Sequence, residues 1–426
     1  MERVTFPDPA EVSEAVAHAH RRDWAAVLAA TVRVTRDLDL AQECAQDAYA
    51  QALQTWPRTG IPDRPGAWLT TVAANRARDL LRREAVWRRA MPLLVTDESV
   101  PGPQDAADPP VIGDDRLRLV FTCCHPAIAP DAQVALTLRL VCGLSTAEVA
   151  HAFLVQESTM AARITRAKKK IAAAKIPYRV PSREDLPERI TTVCDVVHLV
   201  FTTGHTAPAG DRLVRADLVD CAIDLARMLH RLLPGSGDVS GLLALLLLTD
   251  ARRLTRLSAT GTLALLSDQD RTMWDTRQIA EGVDLLTESL ARSAPTRYAV
   301  QAAIAAVHAE APSWPDTDWG RIVALYDVLR RLWPSPVVEL NRAVAVGLRD
   351  GPRAGLAALT PLLEEPALAC YSYLSATRAD FLRQLALWPQ AAAAYEEALM
   401  LTENTVERDF LTGRLEEVRG RLPWLP

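Results

Sequence analysis

The chain has 426 residues, more than one ordinary hydrophobic core accommodates, so two to four domains are expected. Alanine and leucine dominate while β-branched runs stay short, which excludes a sheet-rich architecture and reads as an all-α protein. The net charge of −5 is unevenly shared: residues 1–175 carry 22 basic against 21 acidic side chains, and the remainder carries 26 against 32, so only the first part suits a polyanion, and only in local patches.

From Ser13 to Leu53 the pattern is helical, broken near Thr35–Asp39 and resumed with Leu40, Cys44, Ala48 and Leu53 facing inward. The same stretch leaves Asp39, Glu43, Gln46 and Asp47 as an exposed acidic and polar strip. Such a strip is either a solvated face or a docking surface for a basic partner. A loop rich in breakers follows, Pro57 to Gly66. The next helix spans Ala67–Glu84, with Trp68, Leu69, Val72, Leu80 and Leu81 as its expected buried members. Around it Arg76, Arg78, Arg82, Arg83, Arg88 and Arg89 outnumber Asp79 and Glu84, giving a first basic patch. Residues 92–113, rich in Pro, Asp and Gly, read as a flexible linker.

A short helix, Asp114 to His125, opens the next domain and is ended by Pro126 and Pro130. Its Cys123-Cys124-His125 is not read as a metal site, because adjacent side chains on a helix diverge by about 100° and cannot converge on one ion. The seven cysteines contain no CxxC pair, which argues against a zinc ribbon or a disulfide framework and for a reducing, cytoplasmic setting. No secretory signal pattern opens the chain, and its most apolar run, Leu242–Leu248, is far too short to span a bilayer. No metal, cofactor or membrane contact is expected.

Two helices joined by a tight turn occupy Asp131–Lys175. Ser145-Thr146-Ala147-Glu148 has the form of a capping box, so a helix starts at Thr146 with Val149, Ala150 and Phe153 inward. Leu154-Val155-Gln156 supplies the turn, and Ser158 or Thr159 is expected to cap the second helix. That helix carries Met160, Ile164, Ala167 and Ile171 at helical spacing, and its other face shows Arg163, Arg166, Lys168, Lys169 and Lys170. All four lysines of the chain lie here. The arrangement matches a DNA-binding helix-turn-helix, in which arginine reads guanine edges and lysine neutralises phosphate.

Taken in order, an acidic helix, a breaker loop, a helix with Trp68-Leu69, Ala73, Asn75 and Asp79-Leu80-Leu81-Arg82-Arg83, a linker and a helix-turn-helix resemble bacterial sigma factors of the extracytoplasmic-function group. The resemblance covers residues 10–176. It implies a domain at 10–91 for core polymerase and the minus-ten element, the linker at 92–113, and a domain at 114–176 for the minus-thirty-five element. Core RNA polymerase, through its β′ clamp and β flap, and promoter DNA are the implied partners. Asp39, Glu43, Gln46 and Asp47 fall where the family docks on the β′ clamp. The loop Arg58–Gly66 and Asn75, Arg76, Arg82 and Arg83 fall where the minus-ten element is melted and a flipped base is captured, which requires a pocket and cations to offset unstacking. Thr159, Arg163 and Arg166 fall on the helix that reads the minus-thirty-five element. The chain departs from the family at Ala161 and Ala162, where polar or basic residues are common, so base readout rests on fewer side chains or on contact with thymine methyls.

Beyond Pro177 the chain is far longer than such a factor needs. Helices are expected over Leu186–Phe201, Leu213–Leu233 and Gly241–Leu254, within an extension assigned to 187–295. From 296 to 426 a pairwise rhythm emerges, with helix starts at Asp318, Pro352 and Pro389 spaced by 34 and 37 residues. Ala376, Leu382, Ala391, Tyr395 and Ala398 form the packing signature of a tetratricopeptide-like repeat, whose stacked surface suits a protein or small-molecule ligand. The segments LLLLTDARR and DQDRTMWD mark the sigma variant with this extension. Asp250, Arg252, Asp268, Asp270 and Arg271 lack a nucleophile–base pattern or a phosphate loop, so ion pairing or ligand sensing is expected of them rather than catalysis. Two other readings compete: a helix-turn-helix regulator that acts without entering polymerase, and a helical-repeat enzyme or scaffold. The first predicts a single basic patch, and the second leaves the 39–89 pattern unexplained.

Overall fold

The computed structural model describes residues 8–90, 115–153, 155–182 and 184–422; the 92–113 segment lies outside these, as do the side chains of Arg88 and Arg89. The described residues form eighteen α-helices and one two-stranded sheet, the all-α class read from composition. They fall into two compact units that divide between Val196 and Val197.

The first unit opens with α1 (Pro9–Thr35), α2 (Leu38–Thr59) and α3 (Pro65–Ala90). Asp8 caps α1, accepting from the Ala10 amide at 2.6 Å with Pro9 behind it, and Arg36 stops it in the left-handed conformation. Asp37 then caps α2, accepting from Leu40 N at 2.8 Å, which is the break expected near Thr35–Asp39. The three helices pack closely because their contact faces are small: Ala41, Ala45, Ala48, Ala52, Ala73 and Ala77 are fully buried around Leu28, Trp56 and Leu69. Some details differ from the sequence reading. Leu53 is 48% exposed, and Trp68, Val72, Leu80 and Leu81 are only half-buried. The alanines take the inner positions instead, since close helix crossing leaves no room for larger groups there. Helix α2 also runs through Pro57 to Thr59, because a proline in a last turn costs only one backbone bond.

Next come α4 (Asp115–Cys123), α5 (Pro130–Leu136) leading into a π turn at Thr137–Val141, α6 (Thr146–Ala152) and α7 (Glu157–Ala173). Cys123 and Cys124 are both buried, and Cys124 Sγ lies 3.7 Å from Thr137 Oγ1. The expected cap at Ser158 or Thr159 is not used. Helix α7 begins at Glu157 after Gln156, with no side-chain cap, and both hydroxyl residues sit inside its first turn. The turn holds itself, with Val155 N–H donating to Ala150 O at 3.1 Å. Helix α8 (Leu186–His205) contains the boundary between the units.

The second unit is built of α9 (Ala216–Leu232), α10 (Gly237–Asp250), α11 (Thr276–Arg292), α12 (Arg297–Glu310), α13 (Trp319–Leu332), α14 (Pro336–Asp350), α15 (Pro352–Leu359), α16 (Ser372–Gln384), α17 (Trp388–Leu401) and α18 (Thr405–Arg419). Helix α10 has no polar stripe because it is central: Leu242, Leu243, Leu245, Leu246, Leu247 and Leu248 are all buried. Its limits lie four residues earlier at each end than the Gly241–Leu254 read from the sequence, set by the Ser236 cap and by Asp250. The expected repeat starts are observed: Asp318 caps α13, Pro352 opens α15 and Pro389 is the second residue of α17. Ala376, Leu382, Ala391, Tyr395 and Ala398 share one core cluster. Gly347 of α14 and Gly355 of α15 let the Phe381 ring of α16 rest on their backbones, where an added Cβ would come within 2.3 and 2.5 Å of the ring. A parallel pair, β1 (Ala209–Gly210) and β2 (Glu403–Asn404), ties the two ends of the unit together. Buried Asn404 locks it, its amide donating to Ala207 O and Arg212 O at 2.9 Å each.

Candidate polymerase and nucleic-acid interface

Helix α6 is started by the capping box read from the sequence: Ser145 N–H donates to Glu148 Oε2 at 2.7 Å, and Glu148 N–H donates to Ser145 Oγ at 3.2 Å. Met160, Ile164, Ala167 and Ile171 are buried along one side of α7. On the other, Thr159, Arg166, Lys169 and Lys170 are exposed. Arg163 is more constrained, with its guanidinium 5.6 Å over the Phe153 ring and 3.9 Å from Asp131. Lys168 points elsewhere. Only 11% of its side chain is exposed, and Nζ lies 2.7 Å from Asp39 Oδ1 and 2.8 Å from Gln42 Oε1, both on α2.

On α2, Asp39, Glu43, Gln46 and Asp47 are exposed along one face. Asp39 is occupied by Lys168, and Asp47 by Arg76 of α3 at 3.1 Å. Asn75 accepts from Arg78 at 2.8 Å, and Arg82 pairs with Asp79 at 2.9 Å, while Arg83 is exposed. Between α2 and α3 lies an open cavity of about 540 Å³, walled by Gln51, Gln54, Arg58, Thr59 and Arg76 among others. Of the cations expected to act on DNA, Arg76 lines this recess with Arg58, and Arg76 and Lys168 already hold carboxylates of the acidic strip.

Helix α1 packs closely on the α4–α7 segment, a contact that helical periodicity does not disclose. Trp24 is buried, and its indole N–H donates to Leu140 O at 3.1 Å. Gly143, at φ 73°, gives the ring room, since a Cβ there would lie 2.9 Å from Trp24 Cδ1. His20 and Tyr49 stack around the same indole, with ring centroids 4.9 and 5.8 Å away. Burial and the nearby Arg139 keep the His20 pKa below the usual histidine value. The Tyr178 hydroxyl closes the far end, 2.9 Å from Ala29 O and 3.2 Å from Asp115 O. Aromatic residues at inner helical positions were the available signal, but periodicity does not say which neighbour they meet.

Residues 19–86 match Sigma-70 region 2, residues 118–171 match Sigma-70 region 4, and residues 189–290 match a family of unknown function, DUF6596. An uncharacterized protein of Rhizobium meliloti (strain 1021) is 42% identical over 394 residues, which covers 92% of this chain and 93% of that protein. The ECF RNA polymerase sigma factor SigK of Mycobacterium tuberculosis (strain H37Rv) is 27% identical over 168 residues, 38% of this chain and 85% of its own. SigK of Mycobacterium sp. (strain KMS) is 28% identical over 155 residues, 35% and 78%. Both sigma regions in order, with the acidic strip on α2, the basic faces of α3 and α7 and a long extension behind them, place the chain in the extracytoplasmic-function group of bacterial RNA polymerase sigma factors, as a variant with a large C-terminal extension.

Proposed function

We propose that the protein is an alternative sigma factor that directs core RNA polymerase to promoters carrying minus-thirty-five and minus-ten elements. Asp39, Glu43, Gln46 and Asp47 dock on the β′ clamp, and the 114–176 domain meets the β flap. Thr159, Arg163 and Arg166 read the upstream element while Lys169 and Lys170 hold its phosphates. Asn75, Arg76, Arg82 and Arg83 serve the melted element beside the cavity at Arg58. Lys168 joins the DNA contact once it has released Asp39. The observation that carries this reading is the exposed Arg166–Lys169–Lys170 face of α7, in the same unit as a second basic helix. That SigK is called an RNA polymerase sigma factor supports it.

The extension, 187–295 followed by 296–426, regulates this activity in cis. Run-off transcription with purified core polymerase and mapped start sites tests both statements. Specific starts are expected from the full chain, and a several-fold change after removal of the extension. The cut belongs beyond Tyr178, because the hydroxyl of that residue bridges α1 and α4. DNA binding without transcription would favour a regulator that never enters polymerase, and equal transcripts from both proteins would place regulation in an outside partner.

A further inference from the structure

Helix α10 ends at Asp250 and runs on into Ala251-Arg252-Arg253-Leu254-Thr255-Arg256, a segment whose three arginines meet different fates. Arg253 is fully engaged, with Nε 2.6 Å from Asp250 Oδ1 and Nη2 2.7 Å from Asp220 Oδ1. Arg256 donates to the His205 carbonyl and, at 2.9 Å, to Thr206 Oγ1. Arg252 is half-buried, and its guanidinium makes no hydrogen bond, ion pair or ring contact among the described residues. Burial lowers its pKa to about 10, which leaves it cationic at neutral pH.

Arg252 lines a cavity of about 470 Å³ whose described walls hold no aspartate or glutamate. It is the one charged side chain there. Leu245, Leu248, Trp274 and Trp333 supply an apolar lining, and His198 and Gln301 supply neutral polar groups. Burial drives the His198 pKa down to about 4, so that ring adds a dipole and no charge. A half-buried guanidinium with no counter-charge keeps only part of its hydration, so an anion that reaches it gains more than it would from a fully solvated arginine. The neighbouring carboxylate is not lacking: Asp250 is present but spent on Arg253. A carboxylate for Arg252 would therefore come from outside the chain.

We propose that this cavity binds a small organic carboxylate, paired in two-pronged fashion with Arg252 and with its apolar or aromatic body against Trp274, Trp333 and Leu245. A guanidinium fork matches a carboxylate in geometry, and one positive charge offsets one negative charge. A phosphate dianion would leave a second charge unmatched among apolar walls, so it is the poorer fit. The volume suits a small molecule rather than a polypeptide segment. Residues from both parts of the extension form the site, Arg252 and Trp274 from the first and Ile304, Trp333 and Asn341 from the second.

The test uses the full chain at neutral pH, by calorimetry and saturation-transfer NMR, with acetate, phenylacetate, octanoate, neutral phenylacetamide and inorganic phosphate as probes. Saturable one-to-one binding of phenylacetate or octanoate is expected, at least about tenfold tighter than that of phenylacetamide. Arg252→Met should abolish that preference and raise the unfolding temperature, because an uncompensated charge is gone. Ala305→Trp, which fills the cavity from α12, should block binding while leaving Arg252 in place, and it decides the matter if the Arg252 variant does not fold. The proposal is overturned if none of the three carboxylates binds saturably, if the amide binds as well as the acid, if phosphate binds more tightly, or if Arg252→Met or Ala305→Trp retains the affinity. No readout involves transcription, so the outcome is separable from the proposed function.

Discussion

Arg166 and Lys169 stand on the same exposed face of α7 but are expected to fail differently when removed. On the proposed role of Arg166 as a base reader, Arg166→Ala should cost about 1–3 kcal/mol of discrimination between promoter sequences. Lys169→Ala should weaken binding about evenly across sequences and reduce the salt slope by about one. Competition binding of the polymerase holoenzyme across a salt series separates the two, and identical profiles for both variants would contradict the assignment. His198 offers a second measurement at this scale. Its folded pKa of about 4 lies below the ordinary 6.5, so the unfolded chain binds more protons between those values. The corresponding stability is complete above pH 6.5 and drains as the pH falls toward 4. In denaturant titrations His198→Gln should flatten that dependence by up to about 1.4 kcal/mol per pH unit. An unchanged slope would mean that the ring is protonated in the fold.

At the level of elements, the same substitution should act with opposite signs at two helical glycines. Glycine in a helix interior ordinarily costs about 0.5–1 kcal/mol relative to alanine. In α18 nothing lies within 4 Å of a Cβ at Gly413, so Gly413→Ala should stabilise by about that amount. In α14 the Cβ of Gly347→Ala would meet buried Phe381 at 2.3 Å, and overpacking should win by about 1–3 kcal/mol. Calorimetric unfolding of the two variants reads the difference, and stabilisation of both would show that the Phe381 ring yields freely. The contrast also shows what a sequence discloses. The break near Thr35–Asp39, the helix start at Asp318 and the Ser145–Glu148 box were legible because each rests on residues two or three apart. Gly347 against Phe381 was not, because a meeting across 34 residues leaves no mark on spacing. For the same reason the basic face of α7 could be read from its periodicity, whereas the turn of Lys168 toward Asp39, 129 residues away, could not.

For the molecule as a whole, the contact of α1 and α2 with the α4–α7 segment sets what must give way when the first unit changes shape. Its apolar part is the stronger. Trp24→Ala removes a buried indole and its hydrogen bond to Leu140 O, and should cost about 3–5 kcal/mol in the unfolding of the first unit. Its polar part is weak: the Lys168–Asp39 pair has one partner 76% exposed, and pairs of this kind are worth about 0.2–1 kcal/mol. Asp39→Arg, Glu43→Arg and Asp47→Arg together should abolish co-purification with core polymerase while leaving the helical circular dichroism unchanged, and full retention of polymerase would remove the acidic strip from the docking surface. The pair has a further consequence on the proposed assignment. One carboxylate is claimed by two rivals, a lysine of the same chain and the polymerase clamp, and that lysine has DNA as its other suitor. Whatever draws Asp39 away from Lys168 sets the lysine at liberty, so clamp and promoter each raise the chain's affinity for the other by the same factor. With the pair worth so little, that factor is at most about five, so the lysine biases the two bindings toward each other and does not lock them.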